Sequence, residues 1–534
     1  MQGLAQIGNL NTVNWLNENT ISYDKLINDK HQLNAVAGFT AQKSVTEGVI
    51  AEAAGFATDD ASYHNIKTGI TNRTPSSSYV SWALASYLGR VNYIFDSRYL
   101  FTFSFRADGS SKFGANNKWG YFPSAAFAWN VRNEKFFTDN SSFSQLKLRL
   151  SAGTTGNQSI PAYQSLSQLA YLRYNFSNTT VHGYAPATVA NPGLGWEKTF
   201  QLNGGVDVGL FNNRLTLVAD YYYKRTSDLL LDLTVPGTSG LAVLSGGQAA
   251  TIYQNIGVVT NKGVELAINS INLDGPLSWK TGLVFSKNVN EIVELGNGLD
   301  QIIPNISQPS IIKVGYPVGS FIAYQTDGVI QVGDEPLTPQ QNKSPGGQKY
   351  RDVNGDGIIT QAGDRVVIAN QPDFTAGLTN NFSYKGFNFS FFLQTSVGGQ
   401  IYNQNRNNLE LATGYANGSV DLLNRWTPTN TNTDVKAAYQ DPAATISDRF
   451  IEDGSYLRLK NVMLSYTFSR KAFGNTGIKS IKIYGSAQNL ITWTKYTGFD
   501  PEVSVNNQSL IAQGIDNGVY PNSKSVQLGL LLTL

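Results

Sequence analysis

Residues 375–396 read TAGLTNNFSYKGFNFSFFLQTS. Leu378, Phe382 and Tyr384 share one face of the first arm, and Phe387, Phe389, Phe391 and Leu393 share one face of the second. The opposite faces carry Thr379, Asn381, Ser383, Asn388, Ser390 and Gln394, with Lys385-Gly386 at the turn. A period of two marks a strand with one apolar face. Two such arms joined by two residues make a β-hairpin.

The same period runs through the chain. Tyr99, Phe101, Phe103 and Phe105 alternate with Thr102, Ser104 and Arg106. Leu146, Leu148 and Leu150 alternate with Lys147 and Arg149, and Leu215, Leu217, Ala219, Tyr221 and Tyr223 with Thr216, Asp220 and Lys224. Val526, Leu528, Leu530, Leu532 and Leu534 close the sequence on one face. Fifteen strands are expected, near 20–27, 31–41, 79–95, 98–107, 121–132, 145–153, 199–210, 214–226, 256–270, 277–290, 374–384, 387–396, 456–468, 478–488 and 525–534.

A soluble sandwich and a membrane barrel both give this alternation. The connections decide between them. Short turns such as NDK, DS, FNN, INLDGP and KG, with medium ones at 133–144 and 469–477, alternate with longer loops near 42–78, 154–198, 227–255, 291–373, 397–455 and 489–524. Short turns at one end and long loops at the other describe a transmembrane antiparallel β-barrel. Most strands reach the length of about nine residues that crosses a bilayer at a tilt.

Composition agrees. Charged residues are 15% and aromatics 12%, with 27 Tyr, 27 Phe and 51 Gly, which suits one apolar face per element. A net charge of +2 gives no footprint for nucleic acid. The absence of Cys excludes disulfides and thiolate chemistry. No apolar run is long enough for a transmembrane helix, and MQGLAQIGNLNTVNWLNEN lacks the basic and apolar regions of a signal peptide. Fifteen is odd, whereas single-chain bacterial barrels have even strand numbers. A closed barrel then needs a further strand before residue 20, so residues 1–534 are expected to be the C-terminal part of a longer barrel protein.

Ten stretches in order resemble the SusC/RagA family of TonB-dependent outer-membrane transporters. Among them are SYLGRVNYIFDSRYLFTFSFRADGSSKFG at 86–114, WGYFPSAAFAWNV at 119–131, LKLRLSAGTTGNQ at 146–158 and NIGVVTNKGVELAI at 255–268. YRDVNGDGIIT, RWTPTN, DGSYLRLKNVMLSYTF and SAQNLITWTKYTGFDPEVS follow. The resemblance implies a barrel of about 22 strands, of which this chain would hold about fifteen, without the N-terminal plug. It also implies an outer-membrane location in a Gram-negative bacterium. The implied activity is TonB-dependent import of oligosaccharides or peptides with a SusD-like surface lipoprotein as lid, TonB acting through an N-terminal region outside this sequence. The family usually ends in an aromatic residue, and this chain ends in Leu534. A passive porin and a surface carbohydrate-binding or adhesin protein are the alternatives.

Enzyme signals are poor. His31, His64 and His182 lie far apart, and no zincin, P-loop or nucleophile-elbow motif is present. Arg90, Asn92, Arg106, Lys147, Arg149, Asn203, Asp207 and Asp220 fall on polar faces, where they wet an interior and contact a plug or a substrate. Trp196, Trp426, Trp493 and Tyr496 either stack on sugars, pack loops or mark the membrane interface.

DVNGDGIITQAGD, at 352–364, has the donors of a calcium loop. Asp352, Asn354 and Asp356 would give side-chain oxygens, Ile358 a carbonyl and Thr360 a further ligand. The twelfth position is Gly363, so the closing carboxylate would be Asp364, one residue late. No amphipathic helix flanks the loop. The bland reading is a turn in which Asp and Asn bond their own backbone; the other is a structural Ca2+ that staples an extracellular loop.

Overall fold

Fifteen strands follow one another along a single hydrogen-bonded path. They are β1 (Leu4–Ile27), β2 (His31–Ala54), β3 (Ser76–Phe95), β4 (Tyr99–Ser110), β5 (Trp119–Asn130), β6 (Phe143–Asn157), β7 (Glu197–Leu210) and β8 (Leu215–Ser227), then β9 (Val258–Leu273), β10 (Leu277–Glu294), β11 (Phe374–Tyr384), β12 (Phe387–Val397), β13 (Tyr456–Ser469), β14 (Ser480–Thr494) and β15 (Ser525–Thr533). The computed structural model describes residues 3–534 except 59, 61, 138–141, 236, 242–249, 305–307, 335–337, 340–343, 412–416, 439–444, 475–476, 503 and 505–512. Parts of the long loops expected at 42–78, 227–255, 291–373, 397–455 and 489–524 therefore lie outside the described residues.

The chain divides into two compact units, and β6, β7 and β8 each contribute to both. In the first unit β1 to β5 form an antiparallel meander. In the second, β9 to β15 do the same. The hairpin that opened the sequence reading pairs Tyr384 with Phe387 and Leu378 with Leu393. Its Lys385 and Gly386 have φ of 44° and 90°, the left-handed pair that a two-residue turn between twisted strands requires.

In the first unit, rings gather at two levels of the apolar face. Tyr99 stacks with Trp129 and Phe101 lies against Phe127, with ring centroids 6.4 and 5.0 Å apart. Towards the other end Tyr87 contacts both Trp119 and Phe39, at 6.0 and 5.0 Å. Tyr99 pairs with Trp129 and Gly109 with Trp119, which separates the levels by about 33 Å of strand. A tilt of about 40° turns this into an apolar band of about 25 Å between two aromatic girdles. Phe103 and Phe105, 58% and 49% exposed, lie between the girdles.

A small polar group that includes Asn380 and Thr281 interrupts the apolar face of the second unit. Asn380 pairs with Phe391 and Thr281, yet is buried. Its Oδ1 accepts from the indole of Trp279 at 2.9 Å and the hydroxyl of Thr281 at 2.7 Å. Bonded in this way, a polar group is tolerated among apolar neighbours.

All fifteen expected strands are present, but several reach further into the long-loop end. β1 begins at Leu4, so the residues before 20 extend the first strand and add no other. β2 runs to Ala54 and β14 to Thr494, which shortens the loops expected from 42 and from 489. The loops also hold structure of their own, including hairpins at Gln168–Phe176 with Thr179–Thr188 and at Leu230–Thr234 with Thr251–Asn255. A short α-helix spans Gln404–Leu409. Beyond the apolar band neither face of a strand needs apolar residues, so the ladder continues after the sequence alternation has ended.

The face assignment predicts the effect of charge. Phe103→Arg in the full gene product should destabilise the fold in lipid by about 2–4 kcal/mol, and Ser104→Arg by less than about 1 kcal/mol. Denaturant unfolding in bilayers measures both; equal costs would reverse the assignment.

Candidate functional site

The polar face carries the ionic chemistry. Arg149 of β6 reaches both Asp207 of β7 and Asp220 of β8. Its Nη2 donates to Asp207 Oδ1 at 2.7 Å and to Asp220 Oδ2 at 3.0 Å, and its Nη1 to Asp220 Oδ1 at 2.9 Å. Asn203 adds a long bond to Asp220. Gly205 leaves the space for this fork. A Cβ there would stand 2.2 Å from Asp220 Oδ1 and 2.8 Å from Arg149 Nη2. Of the polar-face residues expected from the sequence, Arg149, Asn203, Asp207 and Asp220 are thus brought together. Asn92 lies instead between Asn34 and Thr102, and Arg106 pairs with Asp108 two residues on. Arg90 and Lys147 join neither group.

A second cluster ties a long loop to the wall. Arg458, whose side chain is 2% exposed, stands on β13 between Tyr456 and Lys460. Its Nη2 is 2.5 Å from Asp500 Oδ1 and its Nη1 bonds Glu502. Tyr456 donates to Glu502 Oε1 at 2.8 Å, and Lys460 Nζ lies 3.0 Å from Oε2. Gln394 of β12 donates to both the Tyr456 hydroxyl and Glu502. Burial alone would raise the Asp500 carboxyl. Arg458 and the backbone N–H groups of Glu502 and Asn522 outweigh it and hold Asp500 below the usual carboxylate range. The sequence stretches YLRLK and GFDPE, some forty residues apart, therefore meet as one latch. Three polar side chains at alternate positions of an apolar strand were the signal for it.

The aromatic residues separate by role. Trp196 is buried against Phe113, Phe122 and Leu194, and its indole donates to the Lys118 carbonyl at 2.8 Å. Trp426 is buried and donates to Gln331 Oε1 at 2.9 Å. Tyr496 is buried and donates to Asp516 Oδ2 at 2.7 Å. Trp493 is 50% exposed on β14 opposite Leu457, on the apolar face. Loop packing accounts for the three buried rings, and Trp493 stands where the interface belt would lie. Rings exposed in the loops belong to residues not singled out in the sequence, such as Tyr171 and Tyr184 of the 168–188 hairpin.

Residues 352–364 form one closed turn. Asp352 accepts from the N–H groups of Gly355 and Gly357, Asn354 from that of Asp356, and Asp356 from that of Ile358. Asp364 is fully buried and reaches back across the extra residue. Its carboxylate accepts from Val353 N at 2.9 Å and Thr360 N at 2.6 Å. Burial would raise its pKa, but these backbone bonds prevail and lower it. Gly363 stands where the twelfth ligand belongs, and its N–H donates to the Thr360 hydroxyl. The donor types of a calcium loop are present, but they are turned onto the loop's own backbone. Among the described residues no three acidic or histidine side chains gather into a group that could hold a metal ion.

A long antiparallel ladder with one apolar face between aromatic girdles, and a polar face laced with ion pairs, defines an outer-membrane β-barrel protein. The chain belongs to the TonB-dependent receptor β-barrel family, whose description, "TonB dependent receptor-like, beta-barrel", it matches over residues 4–490. It is 39% identical to TonB-dependent receptor P3 of Formosa agariphila over 535 aligned residues, covering 97% of this chain and 52% of the relative. It is 35% identical to TonB-dependent receptor SusC of Bacteroides thetaiotaomicron over 471, covering 84% and 43%. Its fold is similar to the structure of the RagAB peptide transporter, with a TM-score of 0.84 at 30% identity, covering 99% of this chain and 56% of that one. The chain spans about half the length of the curated relatives it matches.

The latch predicts a local phenotype. Arg458→Met leaves Asp500 without a cation and Glu502 with Lys460 alone, and should cost about 3–5 kcal/mol, read as protease cleavage within 495–524 at temperatures where the parent resists. Adding Asp500→Asn and Glu502→Gln should recover part of the loss. Unchanged protease resistance in the single variant would show that the latch does not hold the loop.

Proposed function

We propose that this chain is the barrel portion of an outer-membrane nutrient importer of the SusC type. It takes up oligosaccharides or peptides by a TonB-dependent step, together with a SusD-like surface lipoprotein. TonB acts through an N-terminal region outside residues 1–534. The observation that carries the reading is the 35% identity to SusC along 84% of the chain, supported by the likeness to the RagAB transporter. In this reading the polar face is the conduit wall, and the Arg149–Asp207–Asp220 fork holds three neighbouring strands at a fixed spacing while substrate passes. The long loops, with the Arg458 latch at their base, face the lipoprotein.

Uptake of labelled oligosaccharides and peptides by cells carrying the full gene tests this. Uptake should fall to background on deletion of the gene and, separately, on loss of TonB or collapse of the proton gradient. Uptake that persists without TonB, with ohmic conductance of the purified protein in a planar bilayer, would point to a passive porin.

We further propose that Ca2+ is taken by residues 352–364, with Asp352, Asn354, Asp356, Thr360, Asp364 and the Ile358 carbonyl as ligands. The donor sequence supports this, and binding would require carboxylates to trade backbone N–H groups for the cation. The expected result is a higher melting temperature for the parent in millimolar Ca2+ than in chelator, with no difference for Asp356→Ala. Equal melting of the parent under both conditions would reject the ion.

A further inference from the structure

A cleft of about 610 Å3 opens in the loops of the second unit, between the segment around 327–334, Lys349 and the segment 424–434. Its floor is tied together by hydrogen bonds. The Gln331 amide donates to the carbonyls of Val329 and Thr431, at 3.0 and 3.3 Å, and accepts from the buried Trp426 indole. Gln348, also buried, donates to the Gly328 carbonyl at 2.6 Å. Two carboxylates at the rim are held by cations. Asp334 accepts from Gln331 N at 3.0 Å and lies 3.4 Å from Lys349 Nζ, and both contacts lower its pKa. Asp434 is 2.5 Å from Arg449 Nη1, which outweighs burial and lowers its pKa as well. Asp327 and Asn432 are exposed at the cleft and have no partner among the described residues.

We propose that this cleft binds a neutral oligosaccharide. The ligand class follows from the lining. The amides of Asn424 and Asn432, the hydroxyls of Thr431 and Thr433 and the carboxylate of Asp327 offer both acceptors and donors, the pattern that vicinal sugar hydroxyls match. The one apolar side chain at the cleft, Val329, is buried, so the side chains of a peptide find no apolar pocket. The cations at the rim are already engaged, Lys349 by Asp334 and Arg449 by both Asp434 and Glu410, which leaves neither free for an acidic glycan. Asp327 and Asn432 are the binding residues; Trp426 is a positioning residue that acts through Gln331. The proposal rests on the importer reading and narrows its substrate to glycans.

The test uses the full gene product in detergent. Neutral oligosaccharides of four to seven sugars, polygalacturonate fragments and mixed tetra- to octapeptides are titrated calorimetrically against the parent, Asp327→Ala, and Asp327→Ala with Asn432→Ala. Heat-modifiable migration on gels checks that each variant is folded. A neutral glycan should bind the parent, with a loss of about tenfold to hundredfold in Asp327→Ala and a further loss in the double variant. Equal glycan affinity in all three proteins overturns the proposal, as does peptide binding that the variants abolish. TonB-dependent uptake measured in the same strains separates the two readings. If uptake persists at parental rate in the double variant, the cleft fails and the importer stands; if no strain shows TonB-dependent uptake, the importer reading fails.

Discussion

Backbone amides inside a bilayer have no water to bond, so each must find a partner within the protein. The ladder from β1 to β15 meets this demand by pairing each strand with its neighbours in chain order. Everything else depends on that ladder. It sets the alternation of side chains, puts Phe103 and Ser104 on opposite faces, and brings Arg149, Asp207 and Asp220 from three strands within bonding distance.

The existence and order of the fifteen strands were legible because lipid imposes an apolar residue at every second position. The limits of the strands were not, because that imposition stops at the girdles. β1 shows this. Its stretch from Leu4 to Thr20 is rich in Asn and follows no clean period, yet it continues the pairing with β2 as far as Ala54. Small loop strands such as Phe321–Tyr324, paired with Arg365–Ile368, were equally hidden, since each is only four residues long and its burial comes from distant neighbours.

The candidate sites were legible in part. Polar-face parity placed Arg149, Asp207 and Asp220 on one side, but their convergence depends on the strand register and on Gly205, which sequence alone does not give. The family stretches YLRLK and GFDPE stood out as motifs, and their union through Arg458 could be seen only in three dimensions. The loop aromatics misdirect in an instructive way: Trp196, Trp426 and Tyr496 each bury a ring and still satisfy a polar tip, which is what such residues do where loops must pack without a thick core. The 352–364 loop shows that one donor pattern serves two ends. Asp364, displaced by one residue, still closes the loop, and it does so by capping backbone N–H groups.

The alternation of lipid-facing and polar-facing residues along one strand is the central claim, and its most direct test is site-by-site labelling. The chain contains no cysteine, so single cysteines can be placed at positions 101 to 106 of β4 within the folded full-length protein in membranes. Positions 101, 103 and 105 should react with a lipid-soluble thiol probe and resist a charged maleimide, and positions 102, 104 and 106 should show the reverse. Charged maleimide reacting equally at all six would contradict a membrane-spanning strand and with it the reading of the whole sheet.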